Sequence, residues 1–188
     1  MNAFKRWLAL AAVVLVAGCG YNTIQRLDEQ ANSAQGQIEV QLQRRADLIP
    51  NLVSTVKGYA AHEKEIFEQV ANARAKLAGA VQSGDLQQMA DANRALTAPL
   101  GRLIAIAENY PQLKSNENFR ALQDQLEGTE NRIAVARQDY NEAVNRYNAY
   151  IRRFPQLLTA KFTGRKARAY FDLSSPEAAQ PPRVDFSK

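Results

Sequence analysis

The sequence has one cysteine and one histidine in 188 residues. A single cysteine cannot close an internal disulfide, so the chain must be held by its core. A single histidine, His62, excludes a zinc site built on two or three histidines. The run His62-Glu63-Lys64-Glu65-Ile66 opens like a zinc-protease helix but lacks the second histidine four residues on. No serine sits in a Gly-x-Ser-x-Gly elbow, and no glycine-rich loop suits a phosphate. Glycine and proline are scarce, at 9 and 7 residues, which favours long uninterrupted elements. A strong charge of one sign is missing too. The formal charge of +5 falls by two if Lys5 and Arg6 are removed, and nucleic acid is not expected as a partner.

The most informative short stretch is the N-terminus. Lys5 and Arg6 precede an unbroken apolar run from Trp7 to Ala17. A membrane-crossing helix needs about 20 apolar residues, and this run is roughly half that. It reads as the core of an export signal. The run ends in Leu15-Val16-Ala17-Gly18-Cys19, small residues ahead of the cysteine, as in a bacterial lipobox. Residues 1–18 are therefore expected to be a lipoprotein signal peptide, with Cys19 the lipidated first residue of the mature chain. Each buried CH₂ contributes about 0.8 kcal/mol, and stable anchoring takes at least two acyl chains, on the thiol and on the new amine. Gly20 in place of Asp after the cysteine points to the outer membrane, facing the periplasm. The alternative is a single-pass anchor in the inner membrane.

From Tyr21 to Pro155 the helical period dominates. Ile24, Leu27, Ala31, Ala34, Ile38 and Leu42 form one stripe, with Gln25, Glu29, Gln35, Glu39 and Gln43 opposite. Leu52, Val56, Tyr59, Phe67, Val70 and Leu77 continue the pattern, as do Met89, Leu96, Leu100 and Leu103. The longest stripe runs from Phe119 through Leu126, Ile133, Tyr140 and Tyr147 to Phe154 in steps of three and four, ending at Pro155. Ser83-Gly84-Asp85 is expected to turn the chain, with Asp85 as an N-cap, and Asn109-Tyr110-Pro111 to break it again. A break or sharp kink is expected at Pro50, and a kink at Pro99. Such stripes can be hidden only against one another. The fold expected is all-α: an antiparallel bundle of long kinked helices over residues 19–155, then an irregular extended tail over 156–188.

Three features are candidates for function. Arg45, Asp47, Asn51, His62 and Glu63 gather in sequence around Pro50 and form a candidate interaction patch. Tyr140-Asn141 and Tyr147-Asn148 repeat at a spacing of seven, which puts the tyrosines on one stripe and the asparagines on the next, with Asn145 beside them. Their expected role is to fix register in a seam; the alternative is a polar groove for a peptide or headgroup. Arg152, Arg153, Lys161, Arg165, Lys166 and Arg168 form a basic cluster, either a solvated stretch or a contact for anionic lipid. Glu108, Glu127 and Glu130 are the carboxylates for a hydrolase reading, with ion pairing to Arg132 and Arg137 the plainer one. No cofactor and no small-molecule substrate is expected.

Several motifs together resemble one family. Gln43-Arg44-Arg45-Ala46-Asp47-Leu48-Ile49-Pro50-Asn51-Leu52-Val53 is similar to the hallmark of the LemA family. So are Val56-Lys57-Gly58-Tyr59 with His62-Glu63, Glu108-Asn109-Tyr110-Pro111-Gln112-Leu113-Lys114, and Thr129-Glu130-Asn131-Arg132-Ile133. Arg137-Gln138-Asp139-Tyr140-Asn141, Tyr147-Asn148 and Phe154-Pro155 complete the series. The resemblance implies a membrane-attached protein with an up-and-down four-helix bundle and no established enzymatic activity. The function expected is a non-enzymatic envelope scaffold or adaptor, held by a lipid anchor and engaging another envelope protein.

Overall fold

The computed structural model describes residues 2–60 and 62–171, with side chains from Gly20 onward. Among the described residues every regular element is helical, as the stripes require. Helix α1 covers Asn2–Lys57, α2 Lys64–Ser83, α3 Leu86–Glu108, α4 the single turn Pro111–Lys114, α5 Glu117–Ile151, and α6 Gln156–Phe162. Residues 2–19, which include most of the segment expected to be a signal peptide and Cys19, fall within the backbone of α1, and their side chains are outside the description; Met1 lies outside the described residues.

The turns follow local chemistry. Gly84 ends α2 at φ 68°, a left-handed conformation that glycine adopts without a Cβ clash, and its N–H reaches the Val81 carbonyl. The Asp85 carboxylate then accepts from the Gln88 N–H at 2.9 Å and caps α3. Asn116 caps α5 in the same way, accepting from the Phe119 N–H at 3.1 Å. Tyr110-Pro111 separates α3 from α4, with proline in the first turn, where its missing N–H is not needed.

At Pro50 the expected break is absent: α1 runs through it to Lys57, and the chain turns only at Gly58 and Tyr59. A proline inside a helix leaves the carbonyl four residues earlier without its donor. Here that carbonyl is Ala46, and the Arg74 Nε–H of α2 donates to it at 3.0 Å. The Pro50 ring faces solvent, so it displaces nothing from the core. Pro99 lies within α3.

Helices α1 and α5 pack along much of their length in opposite senses. Ile24 and Leu27 share a cluster with Tyr147 and Ile151, Arg45 reaches Glu130, and Asn116 donates to the Tyr59 hydroxyl at 3.2 Å. Helices α2 and α3 form a hairpin, and α2 lies on α1. The larger apolar cluster takes side chains from α1, α2, α3, α4 and α5 and from Phe171, including Leu42, Ile49, Leu77, Met89, Leu96, Leu103, Ile133 and Val144. A smaller one, Ile24, Leu27, Tyr147, Ile151 and Ala160, closes the end nearest Gly20. The long α5 stripe is buried as its spacing predicts, except at its last member: Phe154 is 80% exposed, because α5 stops at Ile151.

The segment expected to be irregular from residue 156 opens instead with α6, and only then becomes extended up to Phe171. Residues 172–188 of the expected tail lie outside the described residues.

Candidate functional site

The tyrosine and asparagine stripes of α5 hold the chain's own C-terminal segment. A primary amide presents one carbonyl and one NH₂ side by side, as a peptide unit does across a strand pair. Asn148 uses both: its Oδ1 accepts from the Arg168 N–H at 2.8 Å, and its Nδ2 donates to the Arg168 carbonyl at 2.9 Å. Asn141 repeats this with Phe171, at 2.8 Å and 3.1 Å. The repeat is geometric. Seven helical residues rise about 10.5 Å, and the three-residue step from 168 to 171 spans about 10 Å when extended. Between these clamps the Tyr140 hydroxyl donates to the Ala169 carbonyl at 3.0 Å, and Tyr170 reaches Asn145 at 3.5 Å. The polar groups of both stripes are thus engaged by the chain's own extended segment. Burial raises the pKa of the Tyr140 phenol above its ordinary value, and Arg168 opposes this. Tyr147 is raised by burial first and by the Asp28 charge second, with Arg165 and Arg168 opposing.

This extended segment, residues 165–171, forms a strap across the helices, and its first residues are tied to α1. Arg165 forms an ion pair with Asp28 at 2.6 Å and donates to Gln25 at 2.6 Å. Arg168 reaches the same carboxylate at 3.5 Å, donates to the Asp28 carbonyl at 3.2 Å, and bonds to Asn32. Phe171, the last described residue, is buried under the Arg137 guanidinium at 5.3 Å from the ring centroid. This corrects the basic-cluster reading in part: Arg165 and Arg168 serve an internal contact, while Arg152, Arg153, Lys161 and Lys166 stay exposed. Asp28, Gln25 and Asn32 gave no signal in the sequence, since they look like any polar helix face.

The Pro50 patch divides. Arg45 is only 4% exposed and turns into the interior, which removes it from any surface patch. Its Nη1 donates to Asn93 of α3 at 2.7 Å and pairs with Glu130 of α5, so one guanidinium joins three helices. Its Nε is buried without a hydrogen-bond partner, and burial lowers its pKa, with Glu130 opposing. Asp47 and Asn51 are exposed on α1, four residues apart; Asp47 accepts from Gln43 at 2.8 Å. His62 is exposed in the α1–α2 turn. Glu63 is half-buried and lines a shallow cleft of about 400 Å³ with Ile66, Gln69, Arg102, Ile106 and Asn109. Of the three glutamates, Glu108 and Glu127 are exposed and on different helices, and the partner of Glu130 is Arg45, not the expected neighbours in sequence. Among the described residues no three His, Cys, Asp or Glu side chains converge on a point where a metal could sit. None of the described helices is long and apolar enough to cross a membrane.

Comparison with known proteins agrees with the motifs. The chain is similar to magnetosome protein MamQ 2 of Paramagnetospirillum magneticum, 29% identical over 189 residues, covering 87% of this chain and 69% of that protein. Magnetosome protein MamQ of Magnetospirillum gryphiswaldense matches at 29% over 187 residues, with the same coverage. The model of the LemA family matches residues 34–186, from the middle of α1 through the strap and beyond, and the chain belongs to that family.

Proposed function

We propose that this protein is a membrane-anchored, non-enzymatic scaffold or adaptor of the cell envelope, with Cys19 as the acylated residue. The observation that carries this reading is the continuity of α1. One helix leads from Cys19 through Pro50 into the core, with Arg74 donating to the carbonyl that Pro50 leaves without its donor. An unbroken helix from residue 19 to residue 57 is about 57 Å long. It would hold the Asp47, Asn51 and His62 surface at a set distance from the bilayer, which suits presentation to an envelope protein. The helix pairings support an up-and-down four-helix bundle as the scaffold body. The relatives are magnetosome proteins by name, which fits a role at a bacterial membrane.

Palmitate labelling of the wild type and Cys19→Ala in cells tests the anchor: label is expected on the wild type alone. Crosslinking in intact envelope then tests the adaptor role. A reproducible envelope-protein adduct should weaken in an Asp47→Ala/Asn51→Ala variant, and its persistence there would remove this surface from the reading.

A further inference from the structure

Helix α6 carries a surface that the core does not explain. Its inner side packs Ala160 into the cluster with Ile24, Leu27 and Ile151. On its outer side Leu158 and Phe162, four residues apart and so on one face, are 58% and 95% exposed. Phe154 stands exposed just ahead of the helix. Arg152, Arg153, Lys161 and Lys166 are exposed around these three, and none of them makes an ion pair among the described residues. The sequence from Ile151 to Phe171 contains no Asp or Glu. Exposed aromatic and aliphatic side chains interleaved with cations, with no anions, match the boundary between lipid headgroups and acyl chains.

The location selects the same occupant. Gly20 immediately follows Cys19, and α6 packs directly on it: a Cβ at Gly20 would lie 3.1 Å from Gln156 Cγ. Tyr150 is also close, its hydroxyl 3.9 Å from that position. In a bilayer that holds acylated Cys19, α6 is beside the point where α1 leaves the surface. The strap fixes it there, since Arg165, just after α6, is clamped to Asp28 and Gln25 of α1.

We infer that Phe154, Leu158 and Phe162, with Arg152, Arg153, Lys161 and Lys166, form a second membrane contact that inserts into an anionic bilayer surface and sets the tilt of the bundle on its anchor. The inference rests on the anchored reading above.

The test uses the acylated chain from Cys19 onward in vesicles. Trp7 leaves with the signal segment, so Phe162→Trp introduces the only indole, at a position with no packing to lose. The vesicles are phosphatidylglycerol with phosphatidylethanolamine, or phosphatidylcholine alone, each with and without brominated acyl chains. The expected result is blue-shifted emission quenched by brominated lipid in the anionic vesicles, much weaker quenching in the neutral ones, and loss of quenching in Arg152→Glu/Arg153→Glu/Lys161→Glu. Solvent-exposed emission without quenching would overturn the inference. So would a blue shift without quenching, which would mean that protein covers the patch, or equal quenching in both lipids. Flotation on neutral vesicles reads the anchor separately. Its failure counts against the anchored reading, whereas flotation without quenching removes only the α6 contact.

Discussion

At the end of the molecule away from Gly20, side chains of α1, α2, α3 and α5 fill one large apolar cluster. At the end beside Gly20 only α1, α5 and α6 meet, and five side chains make up the buried cluster. There the work passes to polar groups: Asn148 clamps a peptide backbone and two arginines share Asp28, and the segment held in this way runs on to Phe171, whose ring joins the large cluster. The difference shows two ways to close a helical structure. Apolar burial is non-directional and scales with area. Hydrogen bonding to backbone is directional, contributes less per contact, and fixes position more than it adds stability. The strapped end is therefore expected to be the first to open, while the four-helix end sets global stability.

The largest effect expected is at the four-helix end. Leu42→Ala removes a fully buried side chain and should destabilise by about 2–5 kcal/mol in urea unfolding, with the loss seen by every probe. Arg45→Ala should follow at about 1–3 kcal/mol, because buried Asn93 loses its partner while the half-exposed Glu130 is left to water. Arg45→Met, which fills the space without a charge, should recover most of that loss.

A smaller and sharper effect concerns Pro50. Arg74→Met should cost about 1 kcal/mol while Pro50 is present, because the Ala46 carbonyl then has no donor. In a Pro50→Ala background the same change should cost close to nothing, since residue 50 now supplies its own N–H. Equal costs in the two backgrounds would show that the Arg74 contact does not compensate for the proline.

Asn148→Ala should separate the two ends. It deprives Arg168 of both backbone contacts and should cost about 1 kcal/mol or less globally. Amide hydrogen exchange over residues 168–171 should rise strongly, with protection of the Leu42 and Leu96 region unchanged. Exchange rising everywhere would mean that the strap belongs to the same cooperative unit as the main core.

The smallest effect is with pH. Burial raises the pKa values of Tyr140 and Tyr147, so the folded chain holds their neutral forms. A raised folded pKa gives stability that is full below the ordinary value of 10.0 and is lost as pH climbs past it through the raised value. Alkaline titration should therefore loosen the strap first, and Tyr140→Phe should make exchange at Ala169 and Tyr170 less sensitive to pH.

Residue order alone determined much of this protein. Period-three-and-four stripes can be buried only by helices packing on helices, so the all-α class and nearly all of the α5 seam could be read directly. Local chemistry also sufficed for the Gly84-Asp85 turn, where a left-handed glycine and a carboxylate cap act within a few residues. Tertiary structure alone decided whatever depended on a distant partner. Pro50 reads as a breaker until Arg74, on another helix, is brought to the orphaned carbonyl. Arg45 reads as a surface cation until Asn93 and Glu130 converge on it. The asparagine stripe was visible as a spacing of seven, but the extended segment that matches it begins 20 residues after Asn148, across a helix end and a further helix. Periodicity records which face of a helix is buried; it carries no record of which remote polar group arrives to meet a donor or acceptor, and that is settled only when the elements pack.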